Sequence, residues 1–521
     1  GRHIPLIIKK TNAKNFMVCE QNLEIFRLSL FVIDYSILAR DGRTVVFSIM
    51  DKIYEFSHKG SNFLRNDYHQ NHVIKYFTTD FNVSKYFDQI MDAIVSEQTE
   101  GFNYYMMLDN VAKLALSRID KYKVIQRELV KEADLYLKNK PVLYIGAGPS
   151  LNENLDWILK NKDKFIIVSM GASCKRLLSK GIIPDIVGTV DPQYKVLNEI
   201  HFSDEIIEKL KNTIILASMN TDQRILDKFN QNNLFLYEVI FTINHKSKVE
   251  NGYSIGEILG TILINLGVNN IYLIGIDLAI NQETGETHIS GYETSNTFNL
   301  KNIKSSIEKD AFSTRQDLVK VKGNFIDEVY TSRLFNTSLN TFSLSCETLK
   351  DESQKIYNLS KNGAYIDSTE PLDIDTFDVE KFDSIEESEK SSEIKNDFIY
   401  LSKNYLTNEV IKELQIERDY LFDIKMNFLE KNKEYASLDE FTNDYLILEK
   451  KLLVPEIKTT FTTSIFSFYL RAVMPYIYYC LNDKALKKEN EKLNKISKEL
   501  KKQLLEISNK YLGYLDLVLK K

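Results

Sequence analysis

Pro141-Val142-Leu143-Tyr144-Ile145-Gly146-Ala147-Gly148-Pro149-Ser150-Leu151 is a five-residue apolar run followed at once by a turn of small residues. The run is too short for a helix and reads as a buried strand, while the glycines and Pro149 turn the chain towards a helix that Ser150 or Asn152 caps. A helix start of this kind presents unpaired N–H groups and a positive dipole end, for which a phosphate is the natural guest. The same small residues also serve where a strand and a helix simply pack closely. No Gly-Lys-Ser/Thr follows, so this is not a Walker loop. Nor is it a complete dinucleotide fingerprint: the third glycine would fall on Leu151, and no acidic residue ends a strand near Ser169.

Similar runs recur on the C-terminal side: FIIVSMG from Phe165, IVGTVD from Ile186, TIILAS from Thr213 and NIYLIGIDL from Asn270, with helical spacers between most of them. Buried strands alternating with helices predict an α/β fold with a central Rossmann-like parallel sheet, here over residues 140–372. Residues 1–139 read as a mixed α/β domain, with a strand at Thr44 to Ile49 and a helix at Tyr86 to Ser96. Residues 373–395 are acidic and serine-rich and read as a linker or surface loop. Residues 396–521 read as a helical domain. In its last helix Leu486, Leu493, Leu500, Ile507 and Tyr514 fall at heptad spacing beside a second seam of Leu504, Tyr511 and Val518. Such a helix requires a partner helix, and a homo-oligomer is left open. The lysines from Lys484 to Lys502 read as its solvated face.

With 521 residues the chain exceeds one ordinary core. A net charge of −6 gives no general attraction to nucleic acid. Cys19, Cys174, Cys346 and Cys480 lack paired spacing, so neither a metal site nor a disulfide framework is indicated, and reduced thiols point to the cytoplasm. The residues Gly1 to Lys10 show no secretory signal. Thr459 to Leu481 is long enough to span a bilayer, but Arg471 and Pro475 near its centre favour a buried helix and no transmembrane segment.

Two further constellations lie where ligands meet parallel sheets, beyond the carboxyl ends of strands. Asp191 and Pro192 follow the Ile186 run, and Asp191 is equally suited to ligand contact and to capping the next helix. Ser254 and Gly256 open an apolar helix to Leu266, Asp277 ends the next strand, and His288 follows in the loop. Its unperturbed pKa makes His288 the best candidate base, though a loop histidine is often polar surface.

These blocks, in this order, resemble the motility-associated flagellin glycosyltransferases, the Maf family. The carrying residues are GAGPSL from Gly146, GIIPDIVGTVDPQ from Gly181, NGYSIGEILG from Asn251, GIDLA from Gly275, VKGNF and VYTS between Val321 and Ser332, and YNLSKNGAYI from Tyr357. They span Val142 to Ile366. The same core is similar to small bacterial sialyltransferases, which use CMP-sialic acid without a metal.

The resemblance implies a protein O-glycosyltransferase that moves a nonulosonic acid, pseudaminic or legionaminic, from its CMP-activated donor to Ser/Thr of flagellin, with inversion and no required cofactor. Such an activity is required for flagellum assembly and motility. It implies His288 and Asp277 as catalytic residues, and Gly146, Gly148, Pro149, Ser150, Asp191, Pro192, Ser254, Gly256 and Thr331 at the donor. Flagellin is the implied partner, docked by the helices after about Asn396. The chain departs from the sialyltransferases at Ala147, where they have asparagine, and at Leu278 and Ala279, where they have aromatics; Tyr292, Tyr330 or Thr331 are the nearest substitutes. Archaeal pterin diphosphokinases also share the Gly-x-Gly-Pro-Ser turn, which keeps a magnesium-dependent diphosphate transfer through Asp185, Asp191 and Asp277 as a rival. A non-catalytic flagellin-binding protein is the third reading.

Overall fold

The computed structural model describes residues 4–11, 13–65, 106–239, 243, 252, 254–289, 297–298, 318–481 and 487–520. The helix expected over Tyr86 to Ser96, Tyr292, and Leu486 of the heptad seam lie outside these residues. The chain divides into two units, residues 1–101 with 470–486, and residues 102–469 with 487–521.

In the first unit the strand expected at Thr44 forms. Strands β1 (Asn15–Glu20) and β2 (Thr44–Ile49) pair in parallel, with Asn15 opposite Thr44 and Glu20 opposite Ile49. The crossover carries the helix Leu23–Leu30, started by Asn22, whose side-chain oxygen accepts from the N–H groups of Glu24 and Ile25. Phe26, Tyr35 and Phe47 pack ring against ring, with centroids 5.5 to 5.8 Å apart.

The second unit is built on β3 (Lys123–Ile125), β4 (Pro141–Ile145), β5 (Ile166–Met170), β6 (Ile186–Thr189), β7 (Ile214–Ser218), β8 (Leu234–Tyr237) and β9 (Asn270–Ile274). After these come β10 (Leu318–Lys322) and β11 (Glu328–Ser332), an antiparallel hairpin, then β12 (Lys355–Asn358), β13 (Glu370–Pro371) and β14 (Ser402–Asn404). Ten of these strands form one sheet in the order β13, β12, β9, β4, β5, β6, β7, β8, β3, β14. All neighbours run parallel except β3 and β14 at the edge. The chain steps from β4 outward through β5 to β8 and then returns to lay β9 on the other side of β4. That reversal puts a switch point between β4 and β9, where a doubly wound sheet opens a crevice beyond its carboxyl ends.

The alternation of side chains fixes the register. Val142 and Tyr144 of β4 enter one core with Val168, Leu216 and the helix residues Ile258, Leu259 and Ile262. Leu143 and Ile145 enter the other, against Leu151, Leu155 and Ile158 of the helix Ser150–Asn161. A one-residue slip would exchange these sets, so the register is strongly specified. Tyr272 is stacked between Tyr357 and Phe377, each 5.0 Å away, and seals the outer side of the second core.

The sheet extends past residues 139 and 372, drawing in β3 before the first and β14 after the second. The acidic stretch 373–395 is a packed strap and not a linker. Its charges are interleaved with Phe377, Val379, Ile385 and Ile394, all buried, and its last part begins the helix Glu387–Leu401. Buried Lys390 ties that helix down: its Nζ donates to the carbonyls of Lys162 (2.9 Å) and Phe165 (2.6 Å) and lies 3.8 Å from Asp185. Burial pushes the Asp185 carboxyl up to about 6, with Lys390 opposing that shift. Removing one partner of a buried ion pair leaves the other uncompensated, which costs about 3–5 kcal/mol. Lys390→Met is therefore expected to lower the urea unfolding midpoint clearly, and an unchanged midpoint would mean the strap is held by its apolar residues alone.

The C-terminal part is helical, as expected. Asn408–Ile424 buries Val410, Leu414, Leu421 and Ile424. Glu489–Leu519 buries Leu493, Leu500, Leu504, Ile507, Tyr511 and Val518 of the two seams and packs along Asn408–Ile424. Lys487, Lys488, Lys492, Lys495, Lys498 and Lys502 point to solvent. The buried Glu417 carboxylate joins three segments: it accepts from the N–H groups of Thr460, Phe461 and Thr462 and from the hydroxyls of Thr462 and Tyr511. It thereby starts the helix Thr462–Leu481, in which Ile465, Phe466 and Tyr469 are buried. No described helix is long and apolar enough to cross a membrane. β14 pairs with β3, and residues 397–469 and 487–521 belong to the second unit.

Candidate functional site

At the switch point the glycines meet protein. The N–H of Gly146 donates to Ile274 O (2.8 Å) and that of Gly148 to Gly275 O (2.8 Å), so the ladder between β4 and β9 continues into the turn. A Cβ on Gly146 would lie 2.1 Å from Gly275 O, and one on Gly275, whose φ is +71°, would lie 2.6 Å from Gly146 O. A Cβ on Gly148 would lie 2.1 Å from Asp277 Oδ2. Two strand ends in backbone contact require these glycines whether or not a ligand is near.

The helix start expected to receive phosphate is filled by Asp277. Its Oδ2 accepts from the N–H (3.2 Å) and the hydroxyl (3.0 Å) of Ser150, at the first turn of Ser150–Asn161. Ser150 Oγ in turn accepts from Gly275 N–H (3.0 Å) and lies 3.1 Å from Ser360 Oγ. Burial pushes the Asp277 carboxyl up to about 6, against the opposing Ser150 hydrogen bonds. Asp277 acts here as a buried cap, joining a loop to a helix 127 residues away in sequence. Pro149 is the N-cap residue and contributes no side-chain hydrogen bond.

The loop after β9 folds back over the turn. Leu278 takes a left-handed φ of +46°, Thr331 Oγ1 of β11 donates to its carbonyl (2.7 Å), and Ile280 N–H donates to Tyr330 O (3.1 Å). Ile289 N–H donates to Ala147 O (3.0 Å), which brings His288 beside the glycine turn. His288 is half-buried, with Nδ1 2.9 Å from Thr287 Oγ1 and its ring edge-on to Phe335 at 5.8 Å. Burial lowers its pKa below the ordinary histidine value, which favours the neutral ring. Thr331 is wholly buried and holds this loop through its hydroxyl.

A second group lies at the ends of β5 and β6. Asp191 Oδ1 accepts from Gln193 N–H (2.7 Å), closing the turn that contains Pro192, and burial raises the Asp191 pKa. Ser254 caps the helix Ile255–Asn265 in a capping box with Glu257, whose Oε1 accepts from Ser254 N–H (2.7 Å). Gly256 O accepts from the Tyr144 hydroxyl (2.7 Å), and a Cβ on Gly256 would lie 3.3 Å from Met170 at the end of β5. The structure thus gathers Gly146, Gly148, Pro149, Ser150, Asp277, His288 and Thr331 around β4 and β9. Asp191, Pro192, Ser254 and Gly256 belong to the neighbouring strand ends. The three acids of the magnesium reading do not converge: Asp185 precedes β6, where its Oδ2 accepts from Ile167 N–H (2.7 Å), whereas Asp191 follows the same strand. Ser360 and Thr287 escaped the sequence reading. Both stand in polar loop sequence whose side-chain partners only the fold supplies.

The fold and site define a doubly wound α/β protein with a closed glycine turn and a histidine loop at its switch point. Residues 1–101 match the family model "Glycosyltransferase Maf N-terminal domain", and residues 108–283 match "6-hydroxymethylpterin diphosphokinase MptE-like". Among solved structures, the MAf glycosyltransferase from Magnetospirillum magneticum AMB-1 matches 99% of this chain and 78% of its own, with TM-score 0.59 and 16% identity. No curated protein matches the chain. Residues 1–101 are thus similar to the N-terminal domain of Maf glycosyltransferases, and the chain shares the fold of the Magnetospirillum enzyme.

Proposed function

We propose that this chain transfers a nonulosonic acid from a CMP-activated donor to serine or threonine hydroxyls of flagellin in the cytoplasm. The observation that carries the reading is the loop that sets His288 beside the glycine turn at the switch point. A neutral imidazole accepts the proton of an acceptor hydroxyl as that oxygen attacks the anomeric carbon from the face opposite the leaving CMP. The new glycosidic bond forms as the bond to the CMP phosphate oxygen breaks, and the departing monoester carries away the electron pair.

The donor phosphate does not enter the Ser150 helix start, since Asp277 fills it. The nucleotide is instead received on the β5 and β6 side, by Asp191, Pro192, Ser254 and Gly256. Gly146, Gly148 and Ser150 form the floor between that side and His288. A transfer of this kind fits a motility role, and the exposed faces of the C-terminal helices offer flagellin a surface that a small acceptor would not need.

The match over residues 108–283 favours a second reading, magnesium-dependent diphosphate transfer from ATP. Calorimetric titration with CMP and with ATP, each with and without magnesium, separates the two. Metal-independent CMP binding that survives His288→Ala is the expected result. Binding of ATP only with magnesium would replace this reading by the kinase, and binding of neither would leave a flagellin-holding protein.

A further inference from the structure

Thr287 has no part in the reading above, yet its hydroxyl lies 2.9 Å from His288 Nδ1. Thr287 is buried, 6% exposed. The segment is pinned on both sides: Asn281 N–H donates to Glu286 O (2.8 Å), Glu286 bridges Thr297, and Ile289 N–H donates to Ala147 O (3.0 Å). The ring is further fixed by the edge contact with Phe335. The pair therefore holds its geometry without a substrate.

A neutral imidazole has one proton and two nitrogens, and only the nitrogen without the proton is a base. A threonine hydroxyl can donate to a bare Nδ1 or accept from Nδ1–H, and only the second arrangement leaves the lone pair on Nε2. A carboxylate in that position would also draw a second proton onto the ring and favour the imidazolium, whereas a hydroxyl orients it and leaves it neutral. We infer that Thr287 is the positioning residue of the base, accepting Nδ1–H of His288 so that Nε2 takes the acceptor proton. This rests on the assignment of His288 above. During transfer the acceptor O–H proton passes to Nε2, and Nδ1–H stays with Thr287.

The test is steady-state transfer from a CMP-activated nonulosonic acid to purified flagellin by wild type, Thr287→Val, Thr287→Ser and His288→Ala. Valine keeps the shape and removes the acceptor oxygen; serine keeps the oxygen. Thr287→Val is expected to lower kcat roughly 10- to 100-fold, by analogy with the outer hydrogen-bond partners that orient metal-bound imidazoles. Donor KM and melting temperature stay near wild type, and Thr287→Ser restores most of kcat. A Thr287→Val enzyme with wild-type kcat, or one whose defect lies only in KM and melting temperature, overturns the inference while leaving His288 as base. Wild-type turnover by His288→Ala overturns the base assignment itself.

Discussion

Gly146→Ala is expected to destabilise the second unit by about 3 kcal/mol or more, the upper range for forcing atoms into a packed interior. The added Cβ would lie 2.1 Å from Gly275 O and 2.6 Å from Ile276 Cδ1. The first of these is backbone, so no rotamer change relieves it. The strand ends of β4 and β9 would have to separate, breaking the Gly146 N–H to Ile274 O and Gly148 N–H to Gly275 O bonds at the centre of the sheet. Gly513→Ala supplies the contrast. Gly513 is exposed inside Glu489–Leu519 with nothing within 4 Å of its added Cβ, so alanine there should stabilise by about 0.5–1 kcal/mol. Urea unfolding followed by circular dichroism reads both. A Gly146→Ala protein with a wild-type midpoint would mean that the two strand ends can part at little cost, and that the glycines serve some other need.

That pair of glycines shows where sequence reading succeeds and where it stops. The runs at Val142, Ile166, Ile186, Ile214 and Ile271 are buried on both faces, so their apolar character announced a parallel sheet without its order. Strands β3 and β14, of three residues each, and β13, of two, carry no such pattern and are held by neighbours far away in sequence. The strap after Asp373 reads as a linker or surface loop because its acids outnumber its anchors. Only the core shows that Phe377 and Ile394 are inside.

The site was legible in its residues and not in their partners. A Gly-x-Gly turn is the same sequence whether a phosphate or another backbone approaches it, and nothing local to Ser150 announces that Asp277 will arrive at its N–H. The same limit applies to Thr331, singled out as a donor contact, whose hydroxyl is spent on Leu278 O. His288 was identifiable from its chemistry alone, and its loop then supplied what chemistry could not: the bond from Ile289 to Ala147 that sets it beside the turn.

His288→Ala is expected to cost the transfer reaction roughly 10²- to 10⁴-fold in kcat, the range for loss of a positioned general base, with CMP binding and melting temperature little changed. The ring is only half-buried, and Thr287, 2.9 Å from its Nδ1, is a neutral neighbour. The pH dependence gives an independent reading with a definite sign. A base works when unprotonated, so the rate rises with pH through its pKa. Burial has moved that pKa below the ordinary histidine value. The acid limb of kcat should therefore be centred below about 6.5, with a plateau at neutral pH. A limb centred above that value would require an anionic neighbour stabilising the imidazolium, which is the opposite of what burial does. In His288→Ala the residual rate should lose this limb and follow hydroxide or the acceptor hydroxyl. If the limb persists unchanged in the variant, the titrating group is elsewhere, and the partly buried carboxyl of Asp191, whose pKa burial raises, becomes the group to test.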